Sequence, residues 1–191
     1  QTIGYDLKGS FTREQNKALF RTHSIQNVSA PNNYNQGNSF GVVYDDVDVF
    51  NISGALEIDM SQKLNVQMKG DLYKYTSDSE PTAWNLPEFE ASLFLDYQLS
   101  EKLSMAANLF YWGSRQDTTN FEGLSISEPI APNVTLDSFL DVNVNISYEI
   151  TNQFGAFIKV NNIANNSYKR WNHYPVQGFQ ILGGVSYKFD F

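Results

Sequence analysis

Few side chains in this sequence have the types and spacing that catalysis requires. The chain contains two histidines, His23 and His173, which fall in different predicted loops. Ser167 and His173 form one local pair of a hydroxyl and a base, but no nucleophile elbow, phosphate-binding loop or zinc-ligand spacing accompanies them. The absence of cysteine excludes thiol catalysis, disulfides and thiolate metal sites. We therefore predict no catalytic residue and no cofactor, and we expect that the chain is not an enzyme.

Three carboxylates lie close together at Asp45, Asp46 and Asp48. Clustered oxygen ligands suit a hard cation such as calcium. A solvated acidic edge is the commoner role of an unpaired charge run. We predict no metal site, and the sequence leaves cation binding by these three residues open.

Several aromatic and basic residues fall in the predicted loops, where a binding protein first meets its ligand. Tryptophan and tyrosine offer flat surfaces on which sugars or planar chelates stack. The alternative is that these aromatic residues anchor the chain at an interface or pack the loops. The candidate ligand contacts are Trp84, Phe121, Arg170, Trp171 and Tyr174.

The elements that must position these loops show the two-residue alternation of β-strands. The last stretch, FQILGGVSYKFDF, places all its aromatic residues on one face. That face carries Phe179, Ile181, Gly183, Val185, Tyr187, Phe189 and Phe191. The same alternation predicts hairpins with tight turns near residues 61, 101 and 152, and long loops near residues 30, 82, 125 and 170. Counting back from the last strand makes Thr2 to about Phe20 one long strand, which gives eight strands in all.

Short turns at one end and long loops at the other are typical of outer-membrane barrels. Aromatic residues at the predicted strand ends match the girdles of such barrels at the membrane interfaces; they are Tyr97, Tyr111, Tyr148, Tyr187, Phe189 and Phe191. We therefore predict an all-β, antiparallel, up-and-down transmembrane β-barrel. A soluble binding sandwich is the alternative that alternation by itself allows.

The composition agrees with a barrel. The chain has 191 residues, 14 of them phenylalanine and 11 tyrosine, and a formal net charge of −8. A negative chain is poorly suited to a phosphate backbone, so we expect no nucleic-acid partner. No run approaches 18 consecutive apolar residues, which excludes a transmembrane helix and leaves a transmembrane barrel open.

The stretch VNNIANNSYKRWNHYPVQGFQILGGVSYKFDF resembles the C-terminal end of TonB-dependent outer-membrane receptors. The matching elements are an Asn-Asn-hydrophobic segment, a tyrosine, a Tyr-Pro-x-x-Gly turn and a final strand ending in aromatic-x-Phe. They fall at Asn161, Asn162, Ile163, Tyr168, Tyr174, Pro175, Gly178, Phe189 and Phe191. Phe179 replaces the arginine that usually follows the turn glycine, so the last loop departs from the family at that point. The segments GVVYDDVDVFNISGALEI and YDLKGSFTREQNKALF are similar to strands in the later part of such barrels.

The resemblance implies a 22-stranded barrel around a plug domain, whereas this chain has room for about eight strands. We therefore expect residues 1–191 to be the C-terminal portion of the barrel, without the plug. The alternative is a self-closed eight-stranded barrel whose extracellular loops serve a structural or adhesion role.

The resemblance also implies a function and partners. The receptor would import a glycan, peptide or metal chelate across the bacterial outer membrane. Its partners would be outer-membrane lipid, the plug and upstream strands, through them TonB, and an extracellular ligand or lipoprotein. Tyr187, Phe189 and Phe191 would form the insertion signal read by the barrel-assembly machinery.

Overall fold

Alternating apolar and polar side chains give this chain one large antiparallel sheet. The computed structural model describes residues 2–22, 40–118 and 133–189. The strands are β1 (Thr2–Thr22), β2 (Phe40–Ser61), β3 (Leu64–Ser77), β4 (Phe89–Gln98), β5 (Leu103–Trp112), β6 (Arg115–Thr118), β7 (Asn133–Leu136), β8 (Phe139–Glu149), β9 (Phe154–Asn161), β10 (Lys169–Trp171), β11 (Tyr174–Pro175) and β12 (Gln180–Tyr187).

Eight of these strands follow one another across the main sheet in the order β1-β2-β3-β4-β5-β8-β9-β12. The predicted count of eight long strands is confirmed, and so is the single long first strand. The predicted tight turns join β2 to β3, β4 to β5 and β8 to β9 at one end of the sheet. The longer connections lie at the other end, which we call the loop end.

Two small hairpins at the loop end were not predicted from the sequence. β6 and β7, which pair with each other, flank the position near residue 125 where a long loop was predicted. The long loop predicted near residue 170 contains β10 and β11. These strands have two to four residues each, too few for the alternation of apolar and polar residues to be recognised.

The strand register places apolar side chains of neighbouring strands beside one another on the same face of the sheet. Leu93 of β4 lies between Met68 of β3 and Leu109 of β5. Along the outer, apolar face, large side chains are left uncovered: Tyr5 is 86% exposed, Leu7 77% and Val185 68%. A continuous exposed apolar face of this kind marks a surface that meets another apolar phase.

The buried core of the described chain lies near the loop end, beyond the main wall. β1 and β2 have 21 and 22 residues, about twice the 9–11 that a membrane-spanning strand needs. The halves of β1 and β2 nearer the loop end pack with the 78–88 connection around a cluster of buried side chains. The cluster consists of Leu19, Val47, Val49, Ala83 and Trp84. A bulge between Glu14 and Lys17 bends β1 beside Val47, a member of this cluster.

The main sheet is open along two edges in the described part of the chain. β1 pairs with β2 and β12 pairs with β9, so each has one strand neighbour. The last strand, β12, pairs with β9 over the whole of its length. No helix in the described ranges is long and apolar enough to cross a membrane.

Candidate functional site

A cluster of aromatic and arginine side chains lies at the loop end of the inner face. Trp112 ends β5 and pairs with Phe139, which begins β8. Both lie on the inner face of the sheet, opposite the outer, apolar face, and the other inner-face positions of β8 are polar. The two small hairpins bring further side chains to this point. We call the group the aromatic–arginine cluster; its members are Trp112, Arg115, Phe139, Tyr168, Arg170 and Trp171.

The rings of the cluster stack in a row. The Phe139 and Tyr168 rings are nearly parallel, 4° apart in plane, with centroids 3.7 Å apart. The Trp112 ring lies 5.8 Å from the Phe139 ring. The Tyr168 hydroxyl donates a hydrogen bond of 2.9 Å to Oδ2 of Asp141. Burial and this carboxylate raise the pKa of Tyr168 to about 12, so its hydroxyl remains a proton donor at neutral pH.

Two guanidinium groups lie over these rings. The Arg115 Cζ atom is 5.4 Å from the Trp112 ring centroid and 5.3 Å from that of Phe139. The Arg170 Cζ atom is 5.3 Å from the Trp112 centroid and 5.4 Å from that of Trp171. Both groups lie within the range of cation–π attraction.

The two arginines of the cluster differ in their exposure to solvent. Arg115 is 1% exposed. Its pKa is lowered, first by burial and then by the positive charge of Arg170. The negative charges of Asp117 and Glu90 raise the pKa in part. Arg115 remains charged at neutral pH because a guanidinium begins from a very high pKa. Arg170 is exposed and Trp171 half-buried, so Arg170 is the arginine of the cluster that is open to solvent.

The predicted ligand contacts are brought together in part. Arg170 and Trp171 lie in β10, and Tyr174 in β11 pairs directly with Trp171. Trp171 therefore links the other two, since the Arg170 guanidinium also lies over its ring. Phe121 lies outside the described residues.

Trp84 lies elsewhere, in the buried core, and is 2% exposed. Its indole N–H donates a 2.6 Å hydrogen bond to Glu80 Oε2, and the Arg21 guanidinium lies 5.5 Å from its ring centroid. Arg21 also forms an ion pair with Glu80 at 3.3 Å. Its ring packs the 78–88 connection against β1 and β2, and ligand contact by Trp84 remains a prediction.

The three clustered carboxylates have protein partners. Asp45 accepts hydrogen bonds from the backbone N–H groups of Glu80, Ser79 and Asp46, and these bonds lower its pKa. Asp46 accepts the N–H of Asn16 at 2.9 Å.

Asp48 is held by Arg13, whose guanidinium lies 3.1 Å from Asp48, 3.6 Å from Asp46 and 2.6 Å from Asp78. Asp78 and Asp48 raise the pKa of Arg13. In residues 2–22, 40–118 and 133–189 no group of three or more acidic or histidine side chains is arranged to hold a metal ion.

The Asn-Asn motif has a clear structural role. Asn162 is 4% exposed and has a left-handed backbone, with φ of 47°. Its amide donates to the carbonyls of Asn166 and Gln177 and accepts the N–H of Asn166. At Gly178, a Cβ atom would lie 2.8 Å from Asn165 Oδ1, which accepts the next backbone N–H, that of Phe179. The motif therefore folds the final connection that carries β10 and β11.

The predicted insertion signal lies at the opposite end of the sheet. The Tyr187 and Phe189 rings form an edge-to-face pair with centroids 4.8 Å apart. The Tyr187 hydroxyl is 3.3 Å from Gln153 Oε1 in the tight turn between β8 and β9. Phe191 lies outside the described residues, and the signal role of these residues remains a prediction.

Solved structures with the same arrangement of strands identify the fold. The pyoverdine outer membrane receptor FpvA from Pseudomonas aeruginosa PAO1, bound to pyoverdine, superposes on 98% of this chain with a TM-score of 0.70 at 14% identity. The siderophore receptor PirA from Acinetobacter baumannii covers 98% with a TM-score of 0.69 at 14% identity. The chain has the fold of an outer-membrane receptor barrel.

The copper transporter OprC also shares this receptor-barrel fold, covering 99% of the chain with a TM-score of 0.64 at 14% identity. The chain spans 27% of the FpvA chain, 30% of PirA and 29% of OprC, so it corresponds to somewhat over a quarter of their length. No protein-family model and no curated protein sequence matches it. The resemblance noted from the C-terminal motif is confirmed at the level of the receptor-barrel fold.

Proposed function

We propose that residues 1–191 are the C-terminal portion of the barrel of a TonB-dependent outer-membrane receptor. The observation that carries this proposal is the eight-stranded up-and-down sheet, which superposes over 98% of its length on receptors several times longer. β4 and β5 have ten residues each between the tight turn and the loop end, which matches the length of a membrane-spanning strand.

The exposed apolar face is the surface that lipid covers in this proposal. Along β1 and β12 the backbone N–H and C=O groups on the free side need partners, because each unpaired group in hydrocarbon costs several kcal/mol. The upstream strands of the receptor supply them. The polar inner face then lines the lumen that the plug occupies, and TonB acts through that plug.

The ligand meets the receptor at the aromatic–arginine cluster and the neighbouring β10–β11 hairpin. Arg170, Trp171 and Tyr174 present a cation beside two aromatic side chains. This combination favours a ligand with flat rings and negative charge, because a guanidinium both stacks on rings and pairs with anions. Among the predicted ligand classes, this chemistry favours a metal chelate over a neutral glycan or peptide.

An uptake panel tests the proposal. Strains with and without the gene are supplied with radiolabelled ferric catecholate, ferric hydroxamate, copper chelate, oligosaccharide or peptide. We expect the deletion to abolish uptake of one probe, and a protonophore to do the same because TonB relays energy from the inner membrane. The intact gene restores uptake. Equal uptake of every probe in the two strains would contradict the receptor function.

The contact residues are tested in the same strains. Arg170→Ala and Trp171→Ala are each expected to weaken uptake of the active probe by roughly 2- to 30-fold, since a cation–π contact contributes about 0.5 kcal/mol when exposed and about 2 kcal/mol when ligand desolvates it. Lys63→Ala, in a tight turn at the far end of the sheet, is the matched control and should leave uptake unchanged. Full uptake by both contact variants would show that the aromatic–arginine cluster does not contact the ligand.

A further inference from the structure

The Arg170–Trp171 dipeptide is held on both sides by side chains of β6. On one side, Arg115 Nη2 donates a 2.7 Å hydrogen bond to the carbonyl of Lys169. On the other side, Asp117 Oδ2 accepts the backbone N–H of Asn172 at 3.0 Å. Arg115 and Asp117 are two residues apart along a strand, so they point to the same face.

Asp117 binds more than the β10–β11 hairpin. It is fully buried and accepts four hydrogen bonds from the described residues. Oδ1 accepts the backbone N–H of Thr22 at 2.8 Å and that of Thr118 at 2.7 Å. Oδ2 accepts the Thr22 hydroxyl at 3.1 Å in addition to the Asn172 N–H. A buried carboxylate is tolerated when its lone pairs are filled in this way.

Three connections of the loop end therefore meet at Asp117. Thr22 ends β1, Thr118 ends β6 and Asn172 follows β10. Two further bonds reinforce the junction: the Thr118 hydroxyl donates to the carbonyl of Thr22, and the Asn172 amide donates to the carbonyl of Thr118 at 3.1 Å.

The junction requires a carboxylate in particular. Three of the four groups that Asp117 accepts are backbone N–H donors, and they approach both of its oxygens. An asparagine of the same shape would turn an NH₂ group toward the donors of one pair, so at least one backbone N–H would lose its acceptor. If the NH₂ group of the asparagine took the place of Oδ2, the backbone N–H of Asn172 would lose its acceptor.

We propose that Arg115 and Asp117 form a clamp that positions Arg170 and Trp171 for ligand contact. The ligand contact rests on the proposed receptor function; the clamp itself does not. By fixing the backbone on both sides of the dipeptide, the clamp holds the Arg170 guanidinium between the Trp112 and Trp171 rings before ligand arrives. Such preorganisation reduces the ordering that binding would otherwise require. Asp117 is a positioning residue, because it acts through the backbone of Asn172.

Chymotrypsin cleavage after Trp171 tests the clamp directly, since the N–H of the scissile bond is the one that Asp117 accepts. The intact protein is digested in detergent, and the fragments are measured by mass spectrometry. Loss of a hydrogen bond to a charged group should favour local opening, so we expect Asp117→Asn to be cleaved there about 10- to 100-fold faster. Arg115→Lys, which keeps the charge and loses the guanidinium fork, should also be cleaved faster.

Asp137→Asn is the matched control, because Asp137 is an exposed carboxylate between β7 and β8. It should be cleaved at the wild-type rate. Wild-type rates for both Asp117→Asn and Arg115→Lys would overturn the clamp, as would equal acceleration by Asp137→Asn. Neither measurement needs ligand, so both decide the clamp even if the receptor function fails.

The positioning role is tested with the probe that the uptake panel identifies. Asp117→Asn should raise the half-saturating probe concentration about tenfold and leave the maximal rate unchanged, whereas a general loss of folded receptor would lower the maximal rate. Faster cleavage with an unchanged half-saturating concentration would overturn the positioning role and leave the receptor function standing.

Discussion

A charge placed on the outer face should be far more damaging than the same charge one residue away on the inner face. Ala106 and Ala107 offer a matched pair near the middle of β5. Ala107 lies on the outer face between Leu95 and Val144, and Ala106 lies on the inner face between Asp96 and Asn145. Both side chains are half-buried, so substitution by arginine removes the same small group in each case.

The magnitude follows from the position of Ala107. It is the fifth of ten residues in β5, which places it close to the bilayer midplane if the strand spans the membrane. Arginine on the lipid face of a barrel at this depth costs about 2–4 kcal/mol. Ala107→Arg should therefore lower the folding equilibrium constant roughly 30- to 1,000-fold. Ala106→Arg should change the free energy of unfolding by less than about 1 kcal/mol, because it faces the lumen beside Asp96.

The assay is urea unfolding of the intact protein in phosphatidylcholine vesicles, followed by the heat-dependent shift of the folded band in gel electrophoresis. Equal destabilisation by the two substitutions would refute the assignment of the outer face to lipid. A larger effect of Ala106→Arg would indicate that the faces are reversed.

Three further substitutions test the loop end. Asp45 has a lowered pKa, so its support of the 78–88 connection should be complete above the unfolded pKa of about 3.9 and lost as the pH falls through the lower folded pKa. Protease protection of this connection should show that acid transition, and Asp45→Asn should abolish it. Trp84→Ala should cost about 3–5 kcal/mol of local stability, seen as faster amide hydrogen exchange in the same connection. Tyr168→Phe should cost about 1–3 kcal/mol, because Asp141 loses the donor to Oδ2, and urea unfolding measures the loss.

The main wall could be predicted from the sequence because its signal is local. Each long strand repeats the alternation of apolar and polar residues over eight or more positions, and the tight turns fall where that alternation stops. The final connection was also predictable in part, since the Asn162 and Gly178 positions carry constraints of backbone conformation and space that the motif displays. Phe139 also carries a signal in the sequence, because the other positions on its face of β8 are polar from Asp141 to Glu149.

The clamp could not be predicted, because its signal is distributed along the chain. Asp117 lies in the polar stretch RQDT, which has no apolar alternation. Its partners Thr22 and Asn172 are 95 and 55 residues away, and they meet only after the sheet has formed. Trp84 illustrates the same limit, because its packing against β1 and β2 depends on residues more than 30 positions away in the sequence.

The distance between β1 and β12 tests the central claim, that this chain is one wall of a larger barrel. Leu7→Cys and Val185→Cys place spin labels on exposed outer-face positions of the two edge strands, and the chain has no other cysteine. Double electron–electron resonance on the intact protein in lipid should give roughly 30–40 Å, the width of seven strand spacings of about 4.8 Å. A distance below about 15 Å would place β1 beside β12 in a self-closed eight-stranded barrel and contradict the account.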